Sequence, residues 1–356
     1  VSGAVSGSAA LTKAGSGKLK LSGTNTFTGD IAVTAGTLNT SGTLADTADV
    51  VISSGATYDV DTSDTIGSVS GAGTVDLASS VILTSSSSSN ISLTGTVSGS
   101  GALAQAGSGT LTLTGNNTNS GGVAVSAGTL AIDADAALGT GALTLSGGSL
   151  TTTADVTTDN AVAVSSASIL SSSNDMVFSG ALSGSSNLTV SGTGLIEFTG
   201  GASGTGDIIQ TAGIIKANSV VAKDFQVSGG TIQGAGTIAS LVMTGGTVAP
   251  GNSIGTLSIS GNYTQGASTA LTIEINSSGS TDVLAISGSA SLDGTLNISP
   301  ASGSYSSNTY TFLTAGSISG TFATTNILGT ACGTSAVNYS STAVTFTLTC
   351  DVGSYG

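Results

Sequence analysis

The chain has 356 residues, of which 54 are Gly, 62 Ser and 55 Thr, so nearly half of it is three small residue types. Five Lys face 17 Asp and 2 Glu, with no His and no Arg, for a net charge of −14. That inventory excludes phosphate-tracking nucleic-acid binding, which needs clustered cations, and excludes Ser-His-Asp and Cys-His catalysis, which need an imidazole.

Only 7% of residues are charged, yet aliphatic residues recur every few positions along the whole length. Disorder needs the opposite balance. Gly, Ser, Thr and Val are poor helix formers and the usual surface helix formers are scarce, so the composition predicts an all-β chain. No stretch approaches 18 uninterrupted apolar residues, and no membrane-spanning helix is expected. The chain opens on Val1 with no basic segment and apolar run before it, as expected where an export signal has been removed or trimmed.

Taken in chain order, the first signal is a repeat. Residues 15–38, GSGKLKLSGTNTFTGDIAVTAGTL, return at 107–130 as GSGTLTLTGNNTNSGGVAVSAGTL. The match extends upstream, VSGSAALTKA at 5–14 against VSGSGALAQA at 97–106. A degenerate third copy keeps the spacing from Leu188 through Gly192, Gly194, Ile196, Phe198 and Gly213 to Ile215. Within each copy, period-2 runs such as Leu19-Lys20-Leu21 and Ile31-Ala32-Val33 end at Gly or Asn, which predicts strands of three to five residues between tight turns. Strands that short bury nothing alone; stacked coils of roughly 20 residues share one aliphatic column. The expected object is a parallel β-solenoid of about 17 coils, a rod on the order of 80 Å long.

Asn25 and Asn117 recur after a strand and a Gly, and two readings are open: a stacked amide ladder or a solvated turn. Asp59 and Asp61, and likewise Asp133 and Asp135, are spaced to project from one face of a strand, the arrangement a glycosidase needs. The plainer reading is a solvated outer face. DVDTSD at 59–64 offers alternating oxygens but puts Asp64 and Ser70 where an EF-hand needs Gly and Glu, so no dedicated metal site, cofactor or catalytic residue is assigned. The run Ser85 to Ser89 reads as a loop leaving the solenoid. Residues 241–356 hold 8 of the 13 aromatics and both prolines, which suggests a boundary: repeat solenoid over 1–240, and a C-terminal region with a wider core over 241–356.

The repeat resembles the autotransporter-associated β-strand repeat, Gly-x-Gly-x-Leu-x-Leu-x-Gly-x-Asn-x-Tyr/Phe-x-Gly followed by a strand and Ala-Gly-Thr-Leu. Gly15 to Leu38 meets nearly every position; the second copy has Asn119 in place of the aromatic. VAPGNSIGTLSISGNYTQ (248–265), STDVLAISGSASLDGTLNI (280–298) and YTFLTAGSISGTF (310–322) are similar to the end of an autotransporter passenger. The resemblance implies a right-handed parallel β-helix exported across a Gram-negative outer membrane, whose C-terminal part helps to nucleate folding. It also implies a downstream membrane barrel, which is not within these 356 residues. That leaves two expectations: a barrel removed, or a free-standing relative that assembles with itself. In an exported chain Cys332 and Cys350, the only cysteines, are expected to form a disulfide, closing a loop worth roughly 3 kcal/mol. The function expected is a non-enzymatic surface stalk or adhesin in adhesion, aggregation or biofilm matrix. Its expected partners are further copies of itself or host-cell and matrix glycans and proteins. A self-assembling filament and a carbohydrate-active enzyme are the alternatives.

Overall fold

The computed structural model describes residues 1–329 and 333–350. Those residues are all β apart from one 3-10 turn at Asp135–Leu138. The chain divides into two compact units, Val1–Ser186 and Asn187–Gly356, and each is a parallel β-solenoid.

In the first unit the coils stack three long ladders and a short one, Val156–Thr158 on Met176–Phe178. One has nine strands, from Leu11–Lys13 to Ser168–Ser171; a second has five, from Lys18–Leu21 to Val97–Gly99; a third has seven, from Asp64–Ile66 to Leu182–Gly184. Coil length is near 20 over much of the unit, as where Leu111 pairs with Leu130 and Leu130 with Leu150, with departures to 17 and 22 around Val75. Constant length stacks like on like, so Leu83, Leu103, Val123, Leu143, Val162 and Leu182 form one interior column. All six are buried, each removing a side chain from water at about 1.5–3 kcal/mol.

The second unit opens the same way and then changes. Its first ladder runs seven strands, from Leu188–Ser191 to Ser317–Gly320. The step from Phe225 to Leu241 is only sixteen residues, but Leu241 pairs with Tyr263 and Tyr263 with Ala290, so the later coils lengthen well past twenty. The strands lengthen with them, Thr269–Ile275 and Asn308–Thr314 having seven residues each. Longer coils make the coil count slightly lower than the 17 expected from a uniform repeat. The unit finishes with an antiparallel hairpin, Thr334–Tyr339 and Ala343–Thr349, added to Asn308–Thr314. Its wider interior takes rings: Tyr310 lies 6.4 Å from Phe346, and Phe322 lies 6.3 Å from both Phe312 and Tyr339.

The repeat itself is four strands that stack on themselves in two pairs. In the first copy Leu11 pairs with Ile31 and Lys18 with Thr37. In the second, Leu103 pairs with Val123 and Thr110 with Thr129. The degenerate third copy does the same, Leu188 with Ile208 and Leu195 with Ile214. The first two copies do not occupy the same sides of their solenoid. Leu11–Lys13 and Lys18–Leu21 belong to the nine- and five-stranded ladders, whereas Ala102–Gln105 and Thr110–Leu113 belong to the seven- and nine-stranded ones. An offset of 92 residues is not a whole number of 20-residue coils, and the copy turns accordingly.

The glycine of Ala-Gly-Thr-Leu explains the Gly-x-Gly before it. Gly128 has φ +61, and a Cβ there would lie 2.2 and 2.3 Å from the carbonyl oxygens of Gly107 and Gly109 in the coil below. Gly36 meets the carbonyls of Gly15 and Gly17 at 2.5 Å, and Gly213 those of Gly192 and Gly194 at 2.8 Å. Only a residue without Cβ fits the left-handed conformation and the close approach together.

Two loop readings change. Ser85 ends the strand Ile82–Ser85 and is buried, and Ser86–Ser89 is a coil corner held by the next coil: Gly107 N donates to Ser85 O and Gly109 N to Ser87 O. The run does not leave the solenoid; serine is small and polar enough to turn a corner. Asn25 and Asn117 are neither stacked on one another nor solvated. Each is buried and clamps the coils on either side: Asn25 Oδ1 accepts from Val5 N at 3.1 Å while Nδ2 donates to Thr43 O at 3.0 Å. Asn117 joins Val97 N at 2.7 Å to Ala137 O at 2.6 Å. An amide suits that place because one end donates and the other accepts.

Candidate functional site

Asp59 lies on the strand Thr57–Val60 of the five-stranded ladder, and Asp61 follows that strand's end. Lys18 Nζ reaches Asp59 Oδ2 at 2.7 Å and Lys20 Nζ reaches Asp61 Oδ2 at 3.7 Å. Lys18 is raised above its ordinary value chiefly by its hydrogen bond to Asp59, against a smaller desolvation in the other direction. Buried Asn39 donates through Nδ2 to Asp61 Oδ2 at 2.9 Å and to Asp59 O at 3.2 Å. Both carboxylates are thus partnered by lysines. Exposed pairs of this kind hold coils together only weakly.

The second pair does not share a strand. Asp133 follows the strand Thr129–Ile132, and Asp135 opens the 3-10 turn, where its Oδ1 accepts from Asp159 N at 3.1 Å. The period-2 expectation fails because the strand ends before either aspartate. In DVDTSD the residues scatter: Asp64 turns inward, beneath Leu83 in the third ladder's column, and its Oδ2 accepts from Leu44 N at 2.7 Å. Burial pushes its carboxyl up to about 6 against the pull of those backbone donors. Of the cysteine pair, Cys332 lies outside the described residues.

Sequence reasoning missed a set of buried polar side chains at the corners. Lys13 ends the strand Leu11–Lys13 pointing inward, and its Nζ donates to the carbonyls of Gly15 and Ala35, both at 2.8 Å, and of Ala14 at 3.2 Å. Gln105, the equivalent residue of the second copy, donates to Gly107 O at 3.0 Å and Gly109 O at 3.2 Å. In the third copy the equivalent is Val190, and Gln210 one coil on does the work, donating to Ala212, Gly213 and Thr231. The corner converges carbonyls, so only a donor without charge repulsion satisfies it. The signal was there to find, since Lys13 and Gln105 sit where period 2 demands an aliphatic.

The second unit carries a concavity of about 380 Å³ lined by Ser253, Ile254, Glu274, Asn276, Ser299 and Ala301. Ser253 and Ile254 belong to the APGNSIGTL segment singled out from sequence. The opposite wall is the outer end of the long strand Thr269–Ile275 and its neighbour Thr295–Pro300, where Glu274 pairs with Ser299. One buried carboxyl ties the walls: Asp282 Oδ1 accepts from Gly255 N at 2.9 Å and Oδ2 from Glu274 N at 2.7 Å. Burial raises Asp282 to about 6, those two backbone donors opposing it.

Against this geometry, the passenger-associated-transport-repeat family model matches residues 11–39 and 103–132. Both segments are similar to that repeat. They coincide with the first two self-stacking copies, and together with the solenoid around them they fit an autotransporter passenger built of β-helix repeats. That family implies export to the cell surface and suggests a structural domain that is not an enzyme. No curated protein matches the chain. Among the described residues, no helix is long and apolar enough to cross a membrane.

Proposed function

We propose that the chain is the stalk or adhesin of a Gram-negative cell surface: a non-enzymatic solenoid that presents an acidic, Ser/Thr-rich exterior for adhesion, aggregation or matrix formation. The observation that carries it is the self-stacking repeat. Its inward positions are used for columns, clamps and corner donors, and the carboxylates best spaced for catalysis are ion-paired to Lys18 and Lys20. Displaying the chain on cells that do not aggregate, and measuring adherence and sedimentation against a display-only control, tests this. Adherence no greater than the control overturns it.

A filament is a second reading, favoured by the strand Thr324–Ile327. It is the outermost member of its ladder and all four residues are exposed, so it offers unpaired backbone to another chain. Electron microscopy decides: continuous fibres support it, and separate particles at all concentrations remove it. Polysaccharide cleavage is tested with Asp59→Asn and Asp61→Asn; activity lost in both would restore the enzyme reading.

A further inference from the structure

We propose that the concavity of the second unit is a receptor for a lysine side chain of a protein partner, with the ammonium on Glu274 and the aliphatic stem along Ile254 and Ala301. The proposal deepens the adhesive reading and rests on it.

The argument starts from the mixture of surfaces. Ile254 and Ala301 give the hollow an apolar wall, and Ser253, Ser299 and Glu274 give it oxygen acceptors. Glu274 has no ion-pair partner among the described residues, unlike Glu197, which lies 4.0 Å from Lys216 Nζ. A single exposed carboxylate on a wall that also carries hydroxyls, its neighbour Asp282 being buried on backbone donors, suits a compact ammonium with three rotatable donors. Divalent cations are poorly served, because one carboxylate does not approach the six or more oxygens that calcium takes. An apolar wall beside a charge is also what a lysine fits, since its methylenes pack while its head stays with the acceptors. The volume, about 380 Å³, is in the range of ligand sites and takes a side chain with part of its peptide.

Two further observations support the site. Its walls do not depend on Glu274's side chain, because Asp282 fixes the loop and the strand through their backbone N–H groups, so the receptor is formed before binding. The net charge of −14 also raises the encounter rate with basic partners over the whole surface, while Glu274 decides where they settle.

The test is titration calorimetry on the full chain at low salt, with N-acetylated, C-amidated tetralysine as the probe and its fully Nε-acetylated form as the uncharged control. Tetralysine is expected to bind and the acetylated peptide not to. Glu274→Gln should weaken binding about fivefold, and Ile254→Ser should also weaken it, each with an unchanged melting temperature. Asp224→Asn, which removes an exposed charge elsewhere on the same unit, should leave binding unchanged. Equal losses in Glu274→Gln and Asp224→Asn, full binding by Glu274→Gln, or no binding by the unaltered chain would each overturn the receptor. Adherence by displayed Glu274→Gln equal to that of the unaltered chain would overturn the receptor while leaving the adhesive reading standing.

Discussion

The first unit and the second solve the same packing problem with different tolerances. In the first, most coils hold to 19 or 20 residues within a range of 17 to 22, and the column from Leu83 to Leu182 repeats aliphatic on aliphatic. In the second, coils shrink to 16 residues and then grow to 27 between Tyr263 and Ala290, rings meet one another, and two long strands overhang far enough to frame a hollow. The hollow of the second unit lies where its coils have lengthened, and a buried carboxyl holds the walls.

The sharpest way to break this comparison is at a corner glycine. Gly128→Ala in the first unit adds a Cβ to a left-handed corner against two carbonyls and should cost about 3 kcal/mol or more. Gly279→Ala in the second, at φ +92 but with only the Asn308 side-chain nitrogen near at 3.0 Å, should cost about 1 kcal/mol. Urea unfolding of both variants measures the difference, and equal costs would show that the close carbonyls at Gly128 add nothing to its left-handed conformation. Next is Phe346→Ala, which empties a ring site beside Tyr310 and should cost about 3 kcal/mol. Limited proteolysis should then cut the second unit first, leaving the first unit intact.

Acid sharpens the comparison, since each unit has one buried carboxyl pushed up to about 6, Asp64 and Asp282. A folded group that holds its proton up to about 6, against 3.8 as the ordinary value, binds more protons than the unfolded chain in that window. Stability should therefore be fully present below about pH 4 and decline as pH rises through 6, by about 1–2 kcal/mol per carboxyl. Asp64→Asn and Asp282→Asn should each flatten their share of the profile in thermal melts from pH 4 to 7; a profile unchanged in both removes the assignment. The smallest effect belongs to the surface. Lys18→Ala should have the least effect on stability, and that effect should vanish in 0.5 M salt if the pair with Asp59 is only solvated charge.

Much of the solenoid was legible from sequence because its rules are local. Leu19-Lys20-Leu21 and Ile31-Ala32-Val33 announce strands by alternation, and the Gly-x-Gly and Ala-Gly-Thr-Leu spacings announce the corners. Which residues meet across coils was less legible, because it depends on coil length, and a change of one residue shifts every later contact. Asn25 and Asn117 could be seen to repeat, but their clamping of coils on both sides needed the register. Asp133 and Asp135 misled because the strand stops at Ile132. Lys13 and Gln105 break the alternation, and only the register shows that their inward donors close a corner. The groove was partly foreshadowed by the APGNSIGTL segment, yet Glu274 and Asp282 carry no motif of their own and are joined only by the overhang of Thr269–Ile275.

Because each repeat copy closes its own stacking between Leu11 and Ile31, or between Leu103 and Val123, it does not need to begin at any particular angle around the axis. A gene that duplicates such a segment is free of the reading that a coil must be copied whole. Outward side chains inherited by the new copy then face a different compass direction, so a lineage can scatter one decoration around its stalk by copying alone.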